Sequence, residues 1–276
     1  MKRILFVLAF FVPATLPQAQ TVEELVRFAV IGDNGTGDEG QYALGRQMAT
    51  SRGQFPYDLV LMLGDNLYRR ASPKEYADAF ERPYDALLKG GVKFVAVLGN
   101  HDSPESVRYP QWNMNGQRYF TFTRGPVRFF ALDTNVLDAE QIAWLERALT
   151  ESEHPWKIAY FHHPIYSNGK RHGSNVELRV RLEPLFVRHG VQVVFAGHDH
   201  FYERLKPQKG ITHFVSGAGG QLRKGGVERS ESTAAVFDSD LSFMLIEIDR
   251  QALRFRAVSR TGTEVDSGTI PRQPST

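Results

Sequence analysis

An α/β fold of four layers, with two packed mixed sheets flanked by helices, is what this sequence predicts. Three observations lead there. Short apolar runs rich in β-branched and aromatic residues recur at 28–31, 59–63, 94–98, 127–132, 158–161 and 191–196, and runs of that length read as buried strands. Helical patterns lie between the early runs. Later runs at 214–216, 243–248 and 253–258 follow closely without helices, so strands that first alternate with helices end by clustering.

The elements can be taken in order. Residues 40–50 carry a helical pattern after the first strand. Ser72-Pro73-Lys74-Glu75 has the capping serine, first-turn proline and third-position acid that start a helix. That helix is expected to reach about residue 89, with a break at Pro83. Asp138, with Gln141 three residues on, starts another helix bearing Ile142, Trp144, Leu145 and Leu149. A fourth is expected over 176–189, kinked or interrupted at Pro184. Thr261-Gly262 turns the chain into a last strand ending near Ile270. The aromatic stretch of Tyr109, Trp112, Tyr119, Phe120 and Phe122 reads either as a cleft wall or as a core-covering loop. The polar, glycine-containing segment 221–240 reads as a mobile loop.

Composition bounds the function. A chain of 276 residues, 42% hydrophobic and 23% charged, can bury a full core without staples. Lys2 and Arg3 precede an apolar run over 4–12, followed by small and polar residues with Ala14 and Ala19 as candidate cleavage points. This predicts a secretory signal over about 1–20 and a single catalytic domain over 21–276, exported to the periplasm or beyond, with no membrane span in the mature chain. Without Lys2 and Arg3 the basic and acidic counts are equal, which argues against nucleic-acid scaffold binding. No cysteine is present, which excludes disulfides, thiolate metal sites and cysteine nucleophiles. Export without disulfides fits a bacterial envelope protein.

Polar clusters follow five of the strands: Gly32-Asp33-Asn34-Gly35, Gly64-Asp65-Asn66-Leu67-Tyr68, Gly99-Asn100-His101-Asp102, His162-His163-Pro164 and Gly197-His198-Asp199-His200. Loops beyond the carboxyl ends of such strands build the sites of α/β folds. Carboxylates, imidazoles, an amide oxygen and a phenol suit iron, zinc or manganese. A lone aspartate after a strand is usually a turn former, and a lone histidine such as His154 or His189 is usually structural. Five of the nine histidines fall inside these clusters, and that ordering makes a site the better reading. His163 alternates to the other side of an extended segment from His162, so packing or exposure is its default role.

This ordered set resembles the metallophosphoesterase superfamily, and within it the purple acid phosphatases of the small, tartrate-resistant type. The resemblance spans about residues 28–259. It implies a calcineurin-like fold and a dinuclear centre. Asp33, Tyr68 and His200 would hold Fe³⁺, while Asn100, His162 and His198 would hold Fe²⁺, Zn²⁺ or Mn²⁺, with Asp65 bridging. Many superfamily phosphodiesterases have a histidine two residues after the first aspartate, where this chain has Gly35; Tyr68 instead fills the slot of the ferric-binding phenolate. The chemistry implied is hydrolysis of small phosphate monoesters, with phosphoproteins as a second class, by in-line attack of a metal-held hydroxide. His101 would act as general acid, Asp102 would orient it or simply cap a turn, and His172 resembles a second substrate-facing histidine. Rival readings are a metallophosphodiesterase using manganese or zinc, and a secreted binding protein that keeps the fold without catalysis.

Overall fold

The computed structural model describes residues 25–272, so the signal-like N-terminus and its cleavage points lie outside the described residues. Strands β1 (Val26–Ile31), β2 (Leu59–Met62) and β3 (Lys93–Ala96) run parallel. The chain then builds a second sheet from β4 (Phe120–Arg124), β5 (Val127–Ala131), β6 (Trp156–Phe161), β7 (Val193–Ala196), β8 (Tyr202–Leu205), β9 (Thr212–Ser216) and β10 (Thr233–Phe237). It returns to the first sheet through β11 (Ser242–Ile248), β12 (Ala252–Ser259) and β13 (Glu264–Pro271). The strand orders are β13-β12-β11-β1-β2-β3 and β10-β8-β9-β7-β6-β5-β4. Both sheets are mixed: the first is parallel over β1, β2 and β3 at one edge and antiparallel across the rest, and the second is parallel at its centre and antiparallel at both edges.

The two sheets meet through aromatic side chains. Phe28 of β1 packs edge-on against Phe129 of β5 at 5.3 Å and Phe195 of β7 at 6.3 Å, and Phe214 of β9 meets Phe255 of β12 at 5.0 Å. Offset and edge-on contacts of this kind add to the free energy of burial. The buried Trp156 indole donates to the carbonyl of Asp249, tying β6 to the end of β11. Outside the second sheet, Phe130, Ala159, Phe161 and Val194 form a separate core with Leu145 and Leu149 of the helix Ala139–Thr150 and Leu182 and Phe186 of the helix Val176–Arg188. Leu44 and Met48 of an earlier helix over Glu39–Gln54 are buried in the main core.

The caps match their sequence signals. Asp138 accepts from the Gln141 amide at 2.8 Å and Ser72 from the Glu75 amide at 3.1 Å. The helix begun by Ser72 widens over Ala77–Glu81 and stops at Pro83, and a short helix resumes over Asp85–Lys89. One expectation is corrected, and two that stood between alternatives are narrowed. The helix over Val176–Arg188 is not interrupted at Pro184, because Pro184 faces solvent, where water can satisfy the carbonyl its missing N–H leaves free. The segment 221–240 contains strand β10, antiparallel to β8, rather than loop alone. Of the two readings of the aromatic stretch, the core-covering one fits: Trp112 is buried, Tyr109 stacks on Tyr76 at 3.8 Å, and Phe120 and Phe122 belong to β4.

Candidate metal centre

The loops after β1, β2 and β3 in one sheet and after β6 and β7 in the other converge at the seam between the sheets. Their backbone is special there. Asp33, Asp65 and His198 adopt left-handed φ angles of 54°, 51° and 69°, a conformation that non-glycine residues hold only where surrounding contacts over-determine it. The contacts are visible. The Asp33 amide donates to Gly64 O at 3.0 Å, and Asp33 Oδ2 accepts from the His198 amide at 2.7 Å across the two sheets. Gly99 is required by crowding, since a Cβ there would lie 2.2 Å from Asp65 Oδ1.

All seven side chains implied as ligands come together. Tyr68 Oη lies 3.3 Å from both Asp33 Oδ1 and His200 Nε2. His162 Nε2 lies 3.0 Å from Asn100 Oδ1, 3.1 Å from His198 Nδ1 and 3.4 Å from Asp65 Oδ1. Asp33, Asp65 and His162 can offer ligand atoms within 4.8 Å of one another.

The donor set fits cations on electrostatic grounds. Burial, then the charge of the neighbouring Asp65, pushes the Asp33 carboxyl well above its usual range, and burial raises Asp65 as well. Burial lowers His162 far below an ordinary imidazole, His198 to about 2 and His200 to about 4. Neutral imidazoles beside mutually repelling carboxylates keep their lone pairs for a metal. His162 makes the case most directly. Its Nδ1 is 2.9 Å from the carbonyl of Leu63, which can only accept, so the ring proton sits on Nδ1 and Nε2 presents a lone pair. That lone pair faces the Asn100 and Asp65 oxygens, acceptor against acceptor, an arrangement a cation between them would relieve.

The substrate-facing candidates differ in their settings. His101 is half-exposed, with Nε2 4.0 Å from Asp65 Oδ2 and its ring 4.8 Å from that of Tyr68. His172 is exposed, with its ring 4.1 Å from that of His198. Asp102 makes no hydrogen bond to His101. Its carboxylate accepts instead from the amides of Gly99, Asn66 and Leu67 and from Asn66 Nδ2 at 2.8–3.1 Å. It therefore ties the third loop to the second, and of its two expected roles the geometry favours the cap. Asp199 does the same elsewhere, accepting from Ser167 Oγ at 2.6 Å and from the Gly173 amide at 3.2 Å, beside His172.

Two residues near the centre have roles that motif reading misses. His163 does not turn away: its ring lies 4.4 Å from that of His198, and Nδ1 is 3.0 Å from Thr134 Oγ1. Arg223, whose amide donates to the His200 carbonyl at 2.9 Å, adds positive charge to the burial that lowers both His200 and His172. A histidine pair after a strand was a signal for the first; nothing local marks the second.

The sequence pattern of the family described as calcineurin-like phosphoesterase matches residues 26–202. The tartrate-resistant acid phosphatase type 5 of Oryctolagus cuniculus is 27% identical over 247 residues, covering 74% of this chain and 76% of that protein. Purple acid phosphatase 3 of Arabidopsis thaliana is 28% identical over 282 residues, covering 87% and 76%. Among solved structures, the purple acid phosphatase PPD1 of yellow lupin superposes with a TM-score of 0.77 at 20% identity, covering 91% of this chain and 54% of that one. GAP50, the anchor in the inner membrane complex of Plasmodium, gives the same TM-score and identity over 91% and 90%. These two share the fold.

Proposed function

This chain belongs to the calcineurin-like phosphoesterase family, and from that membership we propose that it is an exported acid phosphatase of the purple type, hydrolysing phosphate monoesters. The observation that carries the subtype is the pairing of Tyr68 with Gly35. The phenol oxygen sits 3.3 Å from Asp33 and His200. A Cβ at position 35 would lie 2.1 Å from Asn66 O, which leaves no room for a histidine. Burial and the flanking carboxylates hold the phenol protonated far above its usual range, so a phenolate there needs a strongly charged cation.

Asp33, Tyr68 and His200 would hold the ferric ion, Asn100, His162 and His198 the divalent one, and Asp65 both. When bound, the two ions supply the nucleophile and neutralise phosphate oxygens. His101, exposed beside Asp65, is the general acid that donates a proton to the departing ester oxygen. His172, above the His198 ring, contacts the phosphoryl group. Asp102 and Asp199 keep these loops in position. Phosphate monoesters, free or on proteins, are the substrates of this reading. No helix among the described residues is long and apolar enough to cross a membrane, which is compatible with export.

The test is phosphate release from a monoester and from a diester by protein prepared with iron and zinc, together with metal analysis. Monoester turnover with iron bound is expected. A diester preference in protein active with manganese or zinc alone would replace this reading with the phosphodiesterase one.

A further inference from the structure

A cavity of about 710 Å³ opens beside Asn100, lined by apolar Leu98, Pro104 and Val136 and by polar Asn135, Asn175 and His163. It is far larger than a phosphoryl group needs, and none of the roles above uses it. Its charged groups are already partnered, with acidic groups in excess over the single cation Arg118. Arg118 donates to Asp133 Oδ2 at 2.8 Å and to Asp138 Oδ2 at 3.0 Å, and Asp102 is occupied by amide donors. No cationic side chain in the lining is left to pair with an anionic ligand. Val136 remains 55% exposed at its edge, an apolar surface with nothing against it among the described residues.

His163 forms the boundary between this cavity and a second one of about 500 Å³ that contains His172 and Arg171. Its ring is pinned, because Thr134 Oγ1 bonds Nδ1 at 3.0 Å and accepts from the His163 amide at 3.1 Å. The supporting loop is itself fixed, since Asn135 Nδ2 donates to Gly99 O at 3.0 Å. A fixed planar imidazole beside apolar walls suits the face or edge of another ring.

We propose that the larger cavity is the leaving-group subsite, selecting monoesters whose alcohol portion is uncharged and carries a ring, with His163 as its inner wall. This rests on the phosphomonoesterase reading, but binding tests it without turnover. Methylphosphonate, phenylphosphonate and phosphonoacetate are titrated by calorimetry against the metal-loaded full chain, wild type, Val136→Asp and His163→Ala. Phenylphosphonate is expected to bind about tenfold tighter than methylphosphonate to wild type. Each variant should bring that ratio towards one while two metals stay bound.

A wild-type ratio near one, or a ratio unchanged in both variants, overturns the subsite. Loss of a metal in His163→Ala makes His163 a ligand and also overturns it. Tightest binding of phosphonoacetate would assign the leaving group to the Arg171 side instead. A wild type that binds phenylphosphonate preferentially yet hydrolyses no monoester would break the functional reading and leave the subsite standing.

Discussion

The amide of His101 donates to Oδ1 of Asp65 at 2.9 Å, so the implied bridging ligand also fixes the backbone of the implied general acid. Asp65→Asn removes charge from both ion sites and puts an amide where both oxygens are in use. We expect near-complete loss of activity and of at least one metal, measured by elemental analysis of purified protein. Two ions and normal turnover in that variant would show that the centre is not built around Asp65.

His101→Ala should matter in proportion to the leaving group's need for a proton. For alkyl phosphates kcat should fall by about 10²–10⁴, and for nitrophenyl phosphate much less. Both rates are taken on one preparation with its metals quantified. Equal losses on the two substrates would reassign His101 to charge stabilisation.

Tyr68→Phe removes the only phenol oxygen among the implied ligands. With iron bound, the wild-type protein should be pink to purple through phenolate-to-iron charge transfer, and the variant should lose that band while retaining two ions. A visible spectrum settles the matter, since an absorption band that survives the substitution cannot come from this residue.

Asp102→Ala leaves three buried amides without an acceptor. It should lower stability by about 3 kcal/mol, as expected when buried donors lose their acceptor, and weaken metal retention. The ratio of alkyl to aryl turnover should stay as in wild type. A selective loss on alkyl esters, like that of His101→Ala, would restore the orienting role.

His213 in β9 gives a pH dependence away from the metals. It is 2% exposed, and burial lowers it to about 3, against about 6.5 for a free imidazole. The folded pKa lies below the unfolded one, so stability is complete above about pH 6.5 and declines as the unfolded chain takes up a proton the folded chain refuses. By pH 5 the loss is about 2 kcal/mol. In His213→Phe, the difference in unfolding free energy between pH 7.5 and 5.0, measured in urea, should shrink by that amount. An unchanged difference would mean the folded protein protonates His213 normally.

What was legible in the sequence follows from where each residue's signal comes from. Strands buried on both faces, such as Leu59–Met62 and Val193–Ala196, announce themselves as continuous apolar runs. Tyr202–Leu205 does not, because it contains Glu203 and Arg204, whose charges are met at a distance by Asn168 and Asp266. Thr233–Phe237 is partly exposed throughout as an edge strand, and its short apolar run Ala-Ala-Val-Phe sits inside a polar, glycine-containing segment that masks it. Phe120–Arg124 did carry alternation, Phe-Thr-Phe-Thr, before the turn at Gly125. The implied ligands sit next to their strands and were readable in order. Thr134, Asn135 and Arg223 act through loops whose approach only the fold determines.

The first sheet opens with Val26 and cannot be finished until Ile248 is available to pair with it. The whole second sheet is laid down between those two events. Contacts so distant along the chain are slow to form and come late. During synthesis from the N-terminus, β1, β2 and β3 therefore have one side of their sheet open until the last strands emerge. Any machinery that retains the C-terminal strands also retains the fold, so the moment at which this protein becomes compact is set by its tail.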